Sequence, residues 1–293
     1  MWDSICYLNG EYLPLSEAKV SVLDRGFIFG DGVYEVVPLY SAQPFEWAAH
    51  LARLKRSLAA VQLKNPLDDA QWAQLVAQLS CRNRAAQGGN QFIYWQITRG
   101  VAKRDQGFPD ASVEPTLFAM ASPFTPPTGE WLERGVSGYT CTDNRWQRCD
   151  IKSISLLGNV LKRQEAQEHG ATEAVMFRDG WLTEGAAANL WVVKDGALLC
   201  PPRDHHILQG IRVGLMDRLC AASGIALDVR PISKAQVLAA DEILLSSATK
   251  EVLPMTVLND VPVGHGAQAG KPGPVWRTLF TAYQAEKARQ CPL

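Results

Sequence analysis

Apolar residues recur at helical spacing in several stretches of the chain. Between about residues 47 and 63 they recur every three or four positions, which predicts a helix with one buried face formed by Leu51, Leu54, Leu58 and Val61. Four more helices are predicted, over about 68–84, 154–169, 211–223 and 274–288. In the 154–169 helix we expect the apolar side chains to be buried, namely Leu156, Leu157, Val160 and Leu161.

Strands are predicted where β-branched and aromatic residues cluster between turn signals. The stretch SICYLNGEYLP indicates a hairpin that turns at Asn9-Gly10, and VYEVVPLYSAQPFE indicates a second strand pair that turns at 41–43. The other predicted strands are 90–100, 116–122, 136–142, 173–178, 190–194, 197–200, 226–230 and 242–247.

The stretch SPFTPPTGE, residues 122–130, is the predicted linker, because its prolines and glycine interrupt regular structure. It divides the chain into an N-terminal domain over 1–121 and a C-terminal domain over 131–293. Strands and helices interleave without a strict βαβ repeat. Both domains are therefore predicted to be α+β rather than doubly wound.

Charge and composition exclude several classes of protein. The chain carries 29 basic and 30 acidic residues, which argues against a nucleic-acid or acidic membrane surface. No stretch approaches the roughly 18 apolar residues that a membrane helix needs, and the N-terminus MWDSICYLNG has no signal-peptide pattern. Seven scattered cysteines without a CxxC motif indicate reduced thiols, so we expect a cytoplasmic protein.

The histidines have no metal-binding spacing. His205 and His206 are adjacent, so we expect their side chains to point in different directions rather than to share a metal. They follow Pro201-Pro202, which favours a surface loop. No metal site is predicted.

Lys152 stands where an extended run gives way to a predicted helix, in CDIKSISLLGNVLKRQEA. Most lysines are solvated surface charges. A lysine at the edge of the core, however, loses hydration and becomes a usable amine nucleophile or base, as a Schiff-base lysine must be. The residues alone leave both interpretations open.

Glu184 precedes Gly185 and three alanines in LTEGAAANLWVV, residues 182–193. Small side chains allow a flat group to approach the backbone closely, and a carboxylate beside them can hold a protonated ring nitrogen. A tight turn with a solvated glutamate is the simpler alternative.

Two stretches suit an anion. Gly210 precedes the 211–223 helix, whose first N–H groups favour negative charge, and SSATKE, residues 246–251, supplies hydroxyls after a buried strand. Either feature is also an ordinary cap or turn. The glycine-rich stretch LDRGFIFGDGVYEVV, residues 23–37, is read as a loop entering a strand, and it matches no nucleotide-binding fingerprint because no helix is expected after it.

Several cations are candidate ligands for anionic groups. Arg53 and Lys55 flank the apolar stripe of the 47–63 helix, and helix geometry does not choose between them. The 99–109 loop carries three more cations, and arginine suits the two-pronged capture of a carboxylate; they are Arg99, Lys103 and Arg104.

Together these stretches resemble the class IV, or fold-type IV, family of pyridoxal-phosphate enzymes, and most closely its D-amino acid (D-alanine) aminotransferases. The likeness spans nearly the whole chain in DRGFIFGDGVYEVV, ARL, TRG, RWQRCDIKSISLLGNVL, TEGAAANLW and LLSSATKEVLP. It implies an α+β fold with a smaller N-terminal α/β domain and a larger, barrel-like C-terminal α/β domain. It also implies transamination between a D-amino acid and a 2-oxo acid such as 2-oxoglutarate.

The resemblance implies roles for single residues. Lys152 would form the internal aldimine with pyridoxal 5'-phosphate and move the proton, and Glu184 would keep the pyridine nitrogen protonated so that the ring accepts electrons. Arg53 would bind the cofactor phosphate, which selects it over Lys55. The other implied cofactor positions are Leu208 against the ring and, around the phosphate, Ile211, Arg212, Ser247 and Ala248.

Tyr34 and Arg104 match the residues that hold the substrate α-carboxylate in the D-alanine enzymes. In that family the arginine reaches in from the other subunit, so a homodimer is implied. The expected partners are amino acids and 2-oxo acids, with no nucleic acid and no membrane.

Three positions depart from the family pattern. Gln106 stands where the D-alanine enzymes typically carry a histidine, and an amide donates a hydrogen bond but is not cationic. Arg212 and Ala248 each replace a threonine near the phosphate. These departures leave the cofactor site in place and bear on substrate preference.

Two other kinds of function are alternatives. A branched-chain L-amino acid aminotransferase or an aminodeoxychorismate lyase would keep the cofactor; in the branched-chain enzymes the carboxylate is expected on the opposite side of the pocket, without Arg104. A non-catalytic relative is the third hypothesis. The joint presence of Lys152 and Glu184 argues against it, because a site without chemistry has no physical need for both.

Overall fold

The computed structural model describes residues 3–292, so the first two residues of MWDSICYLNG, where we read no signal peptide, lie outside the described part. The chain forms two compact units. Unit 1 comprises Met1–Thr125, Ile151–Leu156 and Gln290–Leu293, and unit 2 comprises Pro126–Asp150 and Leu157–Arg289. The units are therefore discontinuous in sequence, and Lys152 belongs to unit 1 although it follows the predicted linker.

Unit 1 contains a six-stranded antiparallel sheet in the order β2-β1-β6-β5-β3-β4. Its strands are β1 (Ile5–Leu8), β2 (Glu11–Pro14), β3 (Gly32–Tyr40), β4 (Gln43–Pro44), β5 (Gln91–Thr98) and β6 (Thr116–Pro123). Asn9 and Gly10 join β1 to β2 with φ of 48° and 105°, the left-handed region that this dipeptide favours. Both predicted hairpins are confirmed.

Three helices belong to unit 1: α1 (Arg25–Phe29), α2 (Trp47–Ala60) and α3 (Asp69–Gln87). The predicted apolar stripe buries Leu51, Leu54 and Leu58, whereas Val61 is only partly buried because it caps the end of α2. The helix α1 corrects the expectation that residues 23–37 run as a loop into the strand. Its N-cap Asp24 accepts a hydrogen bond from the Gly26 amide at 2.8 Å, which supports a short helical turn.

Unit 2 contains a nine-stranded mixed sheet in the order β12-β11-β10-β13-β14-β7-β8-β9, with β15 paired to β14. Its strands are β7 (Val136–Thr142), β8 (Glu173–Arg178), β9 (Trp181–Leu182), β10 (Asn189–Lys194), β11 (Ala197–Cys200), β12 (Leu227–Val229), β13 (Glu242–Ser247), β14 (Glu251–Leu258) and β15 (Val261–Pro262). Its helices are α4 (Glu130–Glu133), α5 (Leu157–Glu168), α6 (Ile211–Ser223), α7 (Lys234–Leu238) and, apart from its last residue, α8 (Pro274–Gln290). These elements confirm the α+β class.

The face of α5 that we expected to be buried is exposed. Leu157, Val160 and Leu161 are 71%, 58% and 59% exposed. The opposite face of α5 packs on β7 and β8 through the small side chain of Ala166, which allows close approach. Hydrophobic spacing predicted the helix correctly but placed its buried face on the wrong side. Over residues 3–292, no helix is long and apolar enough to cross a membrane.

Candidate active site

The segment that carries Lys152 is held in unit 1 by three hydrogen bonds of its backbone, two of them at Lys152 itself. Its carbonyl accepts from the Tyr34 amide at 3.0 Å, and its own amide donates to the Ser57 hydroxyl on α2 at 3.2 Å. Two residues later the amide of Ile154 donates to the Gly32 carbonyl at 3.1 Å. The segment is therefore pinned between the start of β3 and the buried side of α2.

The side chain of Lys152 meets Tyr34. Its amine lies 3.9 Å from the centroid of the Tyr34 ring, and both side chains are partly buried. The Tyr34 ring in turn lies 5.7 Å from the ring of Tyr94, whose hydroxyl donates to Gln96 at 2.8 Å. Burial, with Tyr34 alongside, raises the pKa of Tyr94 to about 12, so this hydroxyl stays protonated at neutral pH.

Arg53 is buried on α2, and its guanidinium is paired with Glu35 of β3. Its Nε and Nη2 donate to the two Glu35 oxygens at 2.9 and 2.5 Å, and the His50 ring nitrogen lies 3.1 Å from the same carboxylate. Burial alone would raise the pKa of Glu35, but Arg53 and His50 hold it well below its usual range. The structure thus distinguishes the two candidate cations of α2. Arg53 is buried, whereas Lys55 is exposed and paired with Asp69.

Arg104 and Gln106 lie on the exposed loop that follows β5. The Arg104 guanidinium is 5.5 Å from the centroid of the Phe29 ring at the end of α1. No hydrogen bond or ring contact described within residues 3–292 joins Tyr34 to Arg104.

Glu184 lies buried in unit 2, two residues after the end of β9. One carboxylate oxygen accepts from Arg145 at 2.7 Å, and the other accepts from the Leu208 amide at 3.1 Å. Asn189 approaches the second oxygen at 3.4 Å and also donates to the Leu208 carbonyl at 2.8 Å. Three groups therefore fix the orientation of this carboxylate, namely Arg145, the Leu208 amide and Asn189. Glu184 is thus not the solvated turn residue of the simpler interpretation.

Gly210 is required by this arrangement. A Cβ atom at position 210 would lie 1.9 Å from the side-chain oxygen of Asn189. Glycine therefore lets Asn189 reach across to the residues that precede α6.

Asp143 holds Arg145 in place. Two nitrogens of Arg145 donate to the two Asp143 oxygens at 2.9 Å each, and the Thr183 hydroxyl donates to the same carboxylate at 2.9 Å. Burial would raise the pKa of Asp143, but the hydrogen bonds and charge of Arg145 lower it to about 2. Burial raises the pKa of Glu184 to about 7 even though Arg145 acts in the opposite direction. Glu184 therefore lies in a pocket that would accept further positive charge.

The start of α6 and the turn after β13 meet in unit 2. Gly210 is the N-cap of α6 and has no side chain to occupy the first N–H groups, and Ile211 follows it. Arg212 is buried, donates to the Ala248 carbonyl at 3.3 Å and lies 5.5 Å from the Tyr283 ring. The structure therefore unites the two predicted anion-binding stretches.

The turn after β13 is fixed by Lys250. Its amide donates to the Ser247 hydroxyl at 3.0 Å, and its amine donates to the buried Glu173 at 2.8 Å. Glu173 also lies 3.4 Å from the Ala187 amide, in the small-residue stretch after Glu184. The ion pair between Lys250 and Glu173 therefore connects the turn after β13 to the small-residue stretch that follows Glu184.

Among the residues that were not predicted from the sequence are four that surround Arg53 and Glu184. Glu35 is a single carboxylate within the apolar strand VYEVV, and His50 lies one helical turn before Arg53. Asp143 and Arg145 lie just before the Lys152 segment, in TDNRWQRCDIK. A carboxylate in an otherwise buried strand was the available signal, because it requires a charged partner.

His205 and His206 do lie in a loop, but their rings do not diverge. The ring centroids are 4.0 Å apart, and three potential ligand atoms of Asp204, His205 and His206 lie within 4.8 Å of one another. All three residues are accessible to solvent, and exposed groups of this kind are common without an ion. We assign no metal to them.

Comparison with known proteins places the chain in a family. Residues 32–258 match the family described as Amino-transferase class IV. The chain is 37% identical over 276 residues to the D-alanine aminotransferase of Bacillus licheniformis, covering 94% of each chain. It is also 37% identical over 278 residues to that of Staphylococcus aureus strain COL, covering 95% of this chain and 96% of the relative.

The fold agrees with this placement. The branched-chain amino acid aminotransferase of Escherichia coli superposes with a TM-score of 0.85 at 25% identity, covering 97% of this chain and 94% of the other. Sequence and fold lead to the same conclusion: the chain belongs to the class IV aminotransferases, which are dependent on pyridoxal phosphate.

Proposed function

We propose that this protein is a D-amino acid transaminase that exchanges an amino group between a D-alanine-type donor and a 2-oxo acid such as 2-oxoglutarate. The observation that carries the proposal is the contact between Lys152 and Tyr34, 3.9 Å from amine to ring centroid. It brings the predicted proton carrier and a predicted carboxylate ligand to one place. The chain is 37% identical to two D-alanine aminotransferases over most of its length, and this similarity supports the choice of donor.

The residues of unit 2 fit the cofactor. A buried Glu184 whose pKa is raised suits a partner that brings a proton, such as a pyridinium nitrogen. Leu208 lies beside that carboxylate and would contact the ring. The residues of unit 2 that would hold the phosphate are Ile211, Arg212, Ser247 and Ala248. Arg53 is also proposed as a phosphate ligand, with its guanidinium oriented by Glu35.

When bound, pyridoxal phosphate withdraws electrons from the substrate carbon that loses its proton. The protein residues supply the rest. Lys152 takes that proton and returns it, and Glu184, oriented by Arg145, holds the proton on the ring nitrogen. Tyr34, Arg104 and Gln106 orient the substrate carboxylate, which decides the face of the α-carbon that Lys152 meets.

We further propose a homodimer in which the loop with Arg104 completes the neighbouring active site. Support comes from the exposure of that loop, in which both Arg104 and Gln106 are accessible to solvent. The seven cysteines are free thiols, which supports a reducing, cytoplasmic location.

Borohydride reduction followed by peptide mapping tests the assignment of Lys152. The reduced cofactor should be recovered on the peptide that contains Lys152, and Lys152→Ala should lose this label and keep the fold. Lys194→Ala, a change at a partly exposed lysine, is the control and should keep the label. Recovery of the label on Lys194 or Lys250 would refute the assignment.

A branched-chain L-amino acid aminotransferase is the second candidate, because a protein of that name shares the fold. A donor screen separates the two functions. Both enantiomers of alanine, glutamate, leucine and phenylalanine are offered with 2-oxoglutarate as acceptor. Preference for D-alanine supports the proposal, and preference for L-leucine supports the second candidate.

A further inference from the structure

Arg25 is a buried cation that donates hydrogen bonds to the backbone of the exposed loop carrying Arg104. Its Nε donates to Asp31 at 2.8 Å. Its other two nitrogens donate to the backbone carbonyls of Asp105 and Gln106 at 2.5 and 3.5 Å. Arg25 itself is only 3% exposed, on the short helix α1. A buried guanidinium thus fixes the backbone on either side of the bond that joins Asp105 to Gln106.

Asp31 connects Arg25 to a second buried arginine. Arg99 donates to the two Asp31 oxygens at 2.8 and 3.0 Å. It also donates to the carbonyls of Val61 and Gln62 at 2.7 and 3.0 Å, just beyond the end of α2. The three charged groups therefore link the loop to the helix that carries the predicted phosphate ligand. We call Arg25, Asp31 and Arg99 the clamp.

The clamp also fixes the base of the loop. The Arg25 amide donates to the Gly100 carbonyl at 2.9 Å, and the Arg99 amide donates to the Asp31 carbonyl at 3.1 Å. Gly100 has φ of +93°, and a Cβ there would lie 2.2 Å from the Glu114 carbonyl, so the chain can turn here only with glycine. The loop leaves β5 in one fixed direction.

The Ala102 amide donates to the Leu23 carbonyl at 3.4 Å, and the loop beyond it is largely exposed. Further anchors come from the clamp and from aromatic rings. The Arg99 guanidinium lies 3.8 Å from the centroid of the Phe108 ring. Arg104 lies over Phe29, the last residue of the helix that begins with Arg25. The residues on both sides of Arg104 are therefore held, while Arg104 itself stays exposed to solvent.

We propose that the clamp is a positioning device that sets the α-carboxylate site by holding the backbone at 105 and 106. The inference rests on the proposed function, in which Arg104 binds the substrate carboxylate. The loop is already held in the free protein, because all three clamp residues form their hydrogen bonds within unit 1. If the loop serves the neighbouring subunit, a change in the clamp of one protomer acts on the active site of the other.

Arg25→Met tests the proposal, because methionine is unbranched and apolar but donates no hydrogen bond. A loosened carboxylate ligand should raise KM for D-alanine about tenfold or more and leave kcat within about threefold. Cofactor content should stay unchanged, and amide exchange over residues 101–109 should accelerate. Arg84→Met, at an exposed arginine on α3, is the matched control and should change none of these quantities. Asp31→Asn is a second variant of nearly equal size and should shift KM in the same direction.

Three results separate the clamp from the proposed function. Unchanged KM in both Arg25→Met and Asp31→Asn, together with raised KM in Arg104→Ala, overturns the clamp alone. Unchanged KM in Arg104→Ala overturns the proposed role of Arg104. Faster amide exchange in Arg25→Met with KM raised in parallel supports the clamp.

A hybrid dimer tests whether the clamp of one protomer acts on the active site of the other. One protomer carries Arg25→Met and the other carries Lys152→Ala, so the only site with Lys152 receives its loop from the protomer whose clamp is intact. This hybrid should recover the wild-type KM that the Arg25→Met homodimer lacks. A hybrid that keeps the raised KM would show that Arg25 acts within its own protomer, which overturns action on the neighbouring active site.

Discussion

Glu184 and Arg145 form a buried ion pair of 2.7 Å in unit 2, with side chains 7% and 5% exposed. Removing one partner of such a pair leaves the other charge buried, where water cannot solvate it. The pair orients the carboxylate that we assign to the cofactor nitrogen, so changes on either side of it should affect the chemistry.

Glu184→Gln should fold and bind cofactor but transaminate far more slowly. The amide cannot hold the proton on the ring nitrogen as a carboxylate does, and one such preorganised interaction is worth about 3 kcal/mol of barrier, roughly a hundredfold in rate. Single-turnover rates with D-alanine measure the effect, with Glu168→Gln on the surface of α5 as the control. Near-normal rates in Glu184→Gln would mean that the ring nitrogen has a different partner.

Asp143→Asn should lower stability in a pH-dependent way. The pKa of Asp143 is lowered to about 2 in the folded protein, so its contribution is fully present above the ordinary value near 4 and is lost as pH falls toward 2. A shift of this size corresponds to about 2–3 kcal/mol. Urea unfolding of wild type and Asp143→Asn should differ by about that amount at pH 6 and converge toward pH 2. An equal difference at both pH values would contradict the role of the ionised carboxylate.

Glu35→Gln should weaken cofactor binding without removing Arg53. The carboxylate fixes two nitrogens of the guanidinium, and its loss leaves Arg53 free to take other rotamers. We expect about a tenfold to hundredfold faster release of pyridoxal phosphate, as for other residues that orient a ligand-binding side chain. Fluorescence during dialysis follows the release. Glu114→Gln, at an exposed residue of the same unit, should leave it unchanged, and an equal effect of both changes would contradict the prediction.

Arg104→Ala should raise KM for D-alanine by about tenfold to 150-fold, because a lost charged hydrogen bond costs about 1.5–3 kcal/mol. Gln106→His should lower KM or leave it unchanged, since imidazole can add positive charge that an amide cannot. Steady-state kinetics at fixed 2-oxoglutarate measures both. Intact D-alanine kinetics in Arg104→Ala would show that another residue binds the carboxylate.

Local patterns in the sequence predicted most elements of the fold. The helix over 211–223 and the strand over 136–142 match the structure residue for residue. The strand β14 was missed because its centre contains Pro254, which local reasoning reads as a break. In the fold this strand is buried between β13 and β7, so tertiary packing outweighs the local signal.

The candidate site was predictable only in part. Lys152 and Glu184 were found through motifs, but their partners Ser57 and Arg145 lie 95 and 39 residues away in the sequence. Such pairings depend on the topology of the sheets, which local spacing does not contain. The exposed face of α5 is a similar case, because helical spacing identifies an apolar stripe but not what it packs against.

Exchange of the α-hydrogen in heavy water tests the central claim most directly, because it reports which enantiomer presents its Cα–H bond to Lys152. The holoenzyme is incubated with D-alanine or L-leucine in D2O, and the loss of the α-proton signal is followed by NMR. We expect exchange of D-alanine by the wild type, no exchange of L-leucine, and no exchange by Lys152→Ala. Exchange of L-leucine in place of D-alanine, or exchange that survives in Lys152→Ala, would contradict the central claim.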